Sequence, residues 1–166
     1  MRSIRTTGSS GRQSSLPSDF VDRAYRRPTD FAGLLAIESA AGAAAWSRHE
    51  LRDFLGRRDT TIRVIARRAS PGEPIAFYAL QELAPGAYLG NLAVAPAWRR
   101  RGVASFALGR AEAWARRRGL ARIFLHVQED NLAAQLLYRK RGYVADQILH
   151  RYYRGKQDGY RMAKPL

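Results

Sequence analysis

Apolar side chains along this chain follow two rhythms, one helical and one alternating, and the order in which the rhythms succeed each other predicts an architecture. A short alternating segment from Phe20 to Arg26 reads as a strand. Thr29 and Asp30 then stand as capping residues before Phe31, Leu34, Leu35 and Ile37, whose spacing predicts a helix ended by Gly42. Ser47, with Glu50 three positions on, forms a capping box for a second helix that stops at Gly56. From Thr61 the rhythm changes. Ile62, Val64 and Ala66 alternate, Ser70-Pro71-Gly72 turns, Ile75 to Leu83 is strand-like, Ala84-Pro85-Gly86 turns again, and Ala87 to Val94 is a third run. These three segments predict a β-meander.

Gly102 to Arg118 reads as a long helix with Val103, Phe106, Ala107, Ala111 and Trp114 on its apolar side. Ile123 to Val127 has the pattern of a buried strand, and Asp130 or Asn131 caps a helix carrying Leu132, Leu136 and Leu137. Segments around Tyr143 to Leu149 and Tyr160 to Ala163 predict two closing strands. The order β-α-α-β-β-β-α-β-α-β-β predicts an α/β fold, a mixed sheet with helices on both faces.

With 166 residues and 46% hydrophobic content, the chain predicts one domain, expected over residues 20–166. Residues 1–19, rich in Ser, Gly and Arg, are expected as a disordered basic tail, although the lack of acid before Asp19 also suits a weak transit peptide. The absence of cysteine excludes disulfides, thiolate metal sites and a cysteine nucleophile, and three scattered histidines predict no metal site. No run of eighteen apolar residues predicts a membrane span, and a cytoplasmic location is expected. The 29 basic against 14 acidic side chains give +15, carried by arginine except at Lys140, Lys156 and Lys164. A guanidinium binds phosphate in a bidentate way, so this surface suits nucleic acid, a ribosome or a polyphosphate cofactor, or else is a solvated face.

One stretch narrows these choices. Val94-Ala95-Pro96-Ala97-Trp98-Arg99-Arg100-Arg101-Gly102-Val103-Ala104 leaves a strand and enters a helix. Backbone amides at a helix start point outward and meet the positive end of the dipole, which suits a phosphate, and Gly102 and Ala104 leave the backbone open to close approach. Taken alone, the residues equally suit a basic loop before an ordinary helix.

The pattern Arg-x-x-Gly-x-Ala after Asn91-Leu92-Ala93-Val94 resembles the acetyl-CoA pyrophosphate loop of the GNAT superfamily of N-acetyltransferases. Leu125-His126-Val127-Gln128-Glu129-Asp130-Asn131, followed by Leu137-Tyr138-Arg139-Lys140-Arg141-Gly142-Tyr143, is similar to that superfamily's second conserved block. The likeness covers about Val21 to Leu166. Within it, Asp30 to Glu38, Trp46-Ser47, Arg151-Tyr152-Tyr153 and Asp158-Gly159 resemble the bacterial ribosomal-protein-alanine N-acetyltransferase group, which acetylates protein N-termini. The resemblance implies a mostly antiparallel sheet splayed at an acetyl-CoA site and acetyl-CoA as co-substrate. It implies that the backbone at Arg99, Arg100, Arg101, Gly102, Val103, Ala104 and Ser105 holds the pyrophosphate, and that Leu92, Ala93 and Val94 line the pantetheine and polarise the thioester. Asn131 and Tyr138 would complete the cofactor site, with Tyr138 protonating the departing thiolate. Trp46, Tyr88, Asn91, Tyr152 and Tyr153 would form the acceptor site.

Two positions depart from the group's pattern. His126 stands where a glutamate usually precedes the asparagine by five residues, and Tyr88 where an acid commonly precedes the strand asparagine by three. A histidine, with a reference pKa near 6.5, can accept a proton from an α-ammonium at about 7.7–8.0, which favours an N-terminal amine over a lysine at about 10.4. Nearby arginines would lower the pKa of His126, and pairing with Glu129 or Asp130 would raise it. As residues alone, His126 equally suits a structural strand position and Tyr138 a packed core tyrosine. The acceptor is expected to be a protein N-terminus, with a small amine as the alternative. Other readings of the same chain are a non-catalytic acetyl-CoA sensor and a basic RNA- or ribosome-binding protein using Arg110, Arg116, Arg117, Arg118 and Arg122.

Overall fold

The computed structural model describes residues 20–42 and 45–166; the tail expected over residues 1–19 lies outside them. The elements follow the expected order: β1 (Phe20–Ala24), α1 (Thr29–Ser39), α2 (Arg48–Gly56), β2 (Thr60–Arg67), β3 (Ser70–Leu83), β4 (Gly86–Val94), α3 (Val103–Arg117), β5 (Arg122–Gln128), α4 (Leu132–Lys140), β6 (Val144–Tyr153) and β7 (Gln157–Pro165). One 3-10 turn, Pro96–Trp98, links β4 to α3. The strands form one sheet in the order β1-β2-β3-β4-β5-β7-β6. Only β4 and β5 run parallel; the other neighbours are antiparallel.

Two cores flank this sheet. β3 lies inside the sheet and is buried on both faces from Ile75 to Leu80, where its sequence is a continuous apolar run: Ala76, Tyr78 and Leu80 face the α3 side, while Phe77 and Ala79 face the α1 and α2 side. Val103, Ala107, Leu108, Ala111, Trp114 and Ala115 anchor α3, and Leu34, Ile37, Leu51 and Phe54 anchor α1 and α2. Among the described residues no helix is long and apolar enough to cross a membrane.

Four local expectations are corrected. Thr29 and Asp30 do not cap α1: Pro28 takes the cap position without a side-chain bond. Asp30 is buried instead, accepting from both Nη atoms of Arg23 at 2.6 and 2.7 Å and from the Arg26 amide at 2.7 Å. The β2–β3 reversal falls at Arg68 and Ala69; Pro71 and Gly72 lie within β3, where Ala66 pairs with Pro74 and Arg67 with Ser70. A proline has no N–H for the ladder, so the register slips there rather than turning. On α4, Leu132 and Leu136 are exposed while Gln135 and Tyr138 are buried. The helix is rotated because Gln135 donates to the carbonyls of Gln128 and Glu129 at 3.0 and 2.9 Å, tying it to the end of β5. β5 itself alternates between buried and half-buried positions instead of being buried throughout.

Candidate active site

The parallel neighbours β4 and β5 separate early. Their ladder joins only Gly86–Leu89 to Arg122–Leu125. Beyond it β4 stays with β3 as far as Val94, and β5 stays with β7 as far as Gln128. A bulge contributes to the parting: Ala79 pairs with Asn91 and Leu80 with Leu89, so Gly90 is an extra residue on β4. A bulged strand bends and twists more strongly, which carries its end away from its neighbour. The bulge is crowded: an added Cβ would lie 3.2 Å from Phe54, 3.3 Å from Tyr88 and 3.4 Å from Trp46, so these rings would have to give by a few tenths of an ångström.

The opening is a pocket of about 450 Å³ lined by residues packed with the cores on both faces of the sheet. Trp46, packed with the α1 and α2 core, lines it on one side, and Tyr138 and Ala134 of α4, packed with the α3 core, line it on the other. Tyr88, Asn91, Leu92, His126, Asn131, Tyr152 and Tyr153 complete the set of expected residues that it gathers. Asn131 caps α4 by accepting from the Ala134 amide at 3.2 Å, which sets it and Tyr138 on the pocket side of that helix.

The chemistry inside is mainly phenol and imidazole. The Tyr152 hydroxyl lies 2.8 Å from His126 Nδ1, and the Tyr88 hydroxyl lies 3.5 Å from it. Burial pushes the pKa of His126 below its ordinary value, the nearby Arg161 guanidinium adds to the shift, and Asp146 opposes it. The imidazole is therefore neutral at neutral pH and able to accept a proton. Burial pushes the Tyr138 phenol up to about 12, and raises Tyr88 and Tyr153 as well, so all three keep their protons.

Residues 31–143 match the model of the acetyltransferase (GNAT) family. This chain belongs to that family. It is an acyltransferase, and its relatives include the ribosomal protein bS18-alanine N-acetyltransferase of Escherichia coli strain K12, 30% identical over 141 residues that cover 83% of this chain and 93% of the relative. The enzyme of the same name from Haemophilus ducreyi is 32% identical over 124 residues, 75% of this chain and 83% of its own. The crystal structure of the Escherichia coli ribosomal-protein-S18-alanine N-acetyltransferase superimposes with a TM-score of 0.78 at 27% identity, covering 88% of this chain and 93% of that one. The NatC complex bound to Gag peptide and CoA shares the fold, with a TM-score of 0.74 at 24% identity over 89% of this chain and 99% of that one.

Not every expected residue of this acetyltransferase reaches the pocket. Ala93 is buried in the core beneath α1 and α2, and Val94, Arg99, Arg100, Arg101, Gly102, Val103, Ala104 and Ser105 lie beyond the pocket lining, where β4 runs through the 3-10 turn into α3. In that loop Gly102 takes φ +80° at the cap position and no side chain caps the helix, so the first amides of α3 have no side-chain partner at the cap. The arginines contribute less than their number suggests. Arg99 donates to the carbonyls of Val94 and Ala40 at 3.1 and 2.7 Å, and Arg101 lies over the Trp98 ring at 5.2 Å. Gly90, Glu50, Gln128, Arg154 and Gln157 also line the pocket, and the sequence pattern assigns none of them to the site. For Gly90 a signal existed, since a glycine inside a strand marks a bulge.

Proposed function

We propose that this acetyltransferase transfers acetyl from acetyl-CoA to the α-amine of a protein or peptide N-terminus by direct attack, without an acyl-enzyme. Acetyl-CoA is the co-substrate. The observation that carries the reading is the opening between β4 and β5, which is lined from both faces of the sheet. On one side lies Tyr138, beside the strand that leads to the uncapped start of α3; on the other lie Trp46, Tyr88, His126, Tyr152 and Tyr153. The pyrophosphate is held by the amides at Val103, Ala104 and Ser105, where the helix dipole and the free N–H groups favour an anion. The pantetheine runs along Leu92 to Val94, and β4 amides left unpaired by the splay polarise the thioester carbonyl.

The amine nitrogen attacks the thioester carbon. Its proton passes to His126, the C–N bond forms, and the tetrahedral intermediate collapses with cleavage of C–S. The thiolate takes the phenol proton of Tyr138, giving CoA as the thiol and an amide. In the tautomer that donates Nδ1–H to the Tyr152 oxygen, Nε2 is the basic nitrogen. An imidazole base suits an α-ammonium better than a lysine, because the uphill transfer from lysine is larger by more than two units. Relatives at about 30% identity named for an alanine of a ribosomal protein support a protein acceptor.

Turnover of a peptide beginning with alanine, measured as CoA release for wild type and Tyr138→Phe, tests the reading. The variant keeps the ring and should lose roughly 10²- to 10⁴-fold in kcat while acetyl-CoA affinity stays within a few fold. Parallel losses of affinity and turnover would make Tyr138 a packing residue.

A further inference from the structure

Glu38 on α1 is a carboxylate with 2% of its surface exposed, and among the described residues no cation pairs with it. Its bonds are instead to two neutral donors. Oε1 accepts from Asn91 Nδ2 and Oε2 from the Trp46 backbone amide, each at 2.7 Å. Both partners line the pocket, while Glu38 does not. An unpaired buried carboxylate is costly to keep, and burial raises its pKa against the pull of the Trp46 and Asn91 bonds. A glutamine of the same shape would bury no charge.

The carboxylate does something a neutral group would not. It can only accept, so it dictates which end of the Asn91 amide faces it. The NH₂ group is held by Glu38, which leaves the oxygen Oδ1 as the other end of the Asn91 amide, one residue past the bulge where β4 leaves β5, in a residue that lines the pocket. We propose that Glu38 is a positioning residue that sets the polarity of the acceptor-amine subsite: it turns Asn91 so that Oδ1 receives an N–H of the incoming amine, and it fixes the Trp46 wall beside it. The proposal rests on the reading of this pocket as the acceptor site and deepens it.

Glu38→Gln tests this with little change in packing. Glutamine can accept from the Trp46 amide and donate to a flipped Asn91, satisfying every group while presenting NH₂ to the pocket. The expected result is a loss of roughly 10- to 100-fold in kcat/KM for the amine, largely in KM, with the KM for acetyl-CoA within about twofold and Tm unchanged or higher. The double variant Glu38→Gln with Asn91→Asp again places an acceptor oxygen at the pocket, held by the glutamine NH₂, and should regain much of the loss. Unchanged kcat/KM in Glu38→Gln, or a loss that the double variant does not recover, would overturn the proposal. The assay is run with a peptide and with a small primary amine. If wild type uses only the small amine, the peptide reading fails while the same ratios on that amine still decide the role of Glu38.

Discussion

The base proposed for the attacking amine is the side chain at position 126, where this chain has histidine. The sequence left two directions for its pKa, and the structure selects one: burial and Arg161 lower it, and the facing acid is Asp146 rather than Glu129 or Asp130. The sign follows directly. A base works when neutral, so a lowered pKa keeps His126 competent below the ordinary histidine value of about 6.5, and its contribution falls away as pH drops through that lowered value. In His126→Ala the deficit in turnover should be greatest near neutral pH and shrink as the amine deprotonates by itself. Rate profiles of variant and wild type that run parallel between about pH 6 and pH 9 would remove the base role. The same residue illustrates what a sequence withholds. His126 was identifiable as the occupant of a glutamate's place, but its partner Tyr152 comes from β6, 26 positions away, and no spacing rule joins them. Glu38 is a stronger case. It sits on the buried stripe of α1 with Leu34 and Ile37, and an acid in an apolar stripe is a local signal, yet its partners Trp46 and Asn91 become visible only in the folded chain.

At the scale of elements, strong periodicity was legible and rotation was not. The order of four helices and seven strands, the Ser47–Glu50 capping box and the Asn131 cap all follow from local residue chemistry, and all are present. Asp30 carries the residue type of a cap but meets Arg23 of β1, and an ion pair inside the fold outweighs a cap at its surface. On α4 the three leucines suggested an apolar face, whereas the two bonds of Gln135 to the end of β5 turn two of them outward. The proposed pyrophosphate site is the junction of β4 and α3. Acetyl-CoA at about 100 times its Kd should raise Tm by roughly 5–10 °C, since a ligand that binds only the native state stabilises it by mass action. Gly102→Asp should abolish that rise, because it sets a carboxylate against the pyrophosphate at a position with φ +80°. Gly102→Ala, which carries the backbone strain without the charge, should retain part of it. A full ligand-induced shift in Gly102→Asp would place the cofactor elsewhere.

Across the whole molecule, the net charge of +15 suggested an arginine face for nucleic acid, and several of those arginines have partners within the protein while their side chains stay exposed. Arg110 pairs with Asp22 at 2.8 Å, Arg116 with Glu112 at 3.9 Å and Arg118 with Glu82 at 3.6 Å, while Arg118 also lies 4.0 Å over Trp114 and Arg122 5.9 Å over Phe124. The pocket, in contrast, has Glu50 and Arg154 as its only formally charged lining residues among those described. Its selectivity must therefore come from aromatic walls, hydrogen bonds and proton affinity more than from net charge. The measurement that tests this most directly uses one peptide with an N-terminal alanine and an internal lysine, incubated with the protein and acetyl-CoA and sequenced by tandem mass spectrometry, beside the intact protein mass with acceptor omitted. The account predicts acetyl on the α-amine, none on the lysine, and an unmodified protein. Acetyl on the lysine, an acetylated enzyme that passes its acetyl to the peptide, or a peptide left unmodified would contradict it.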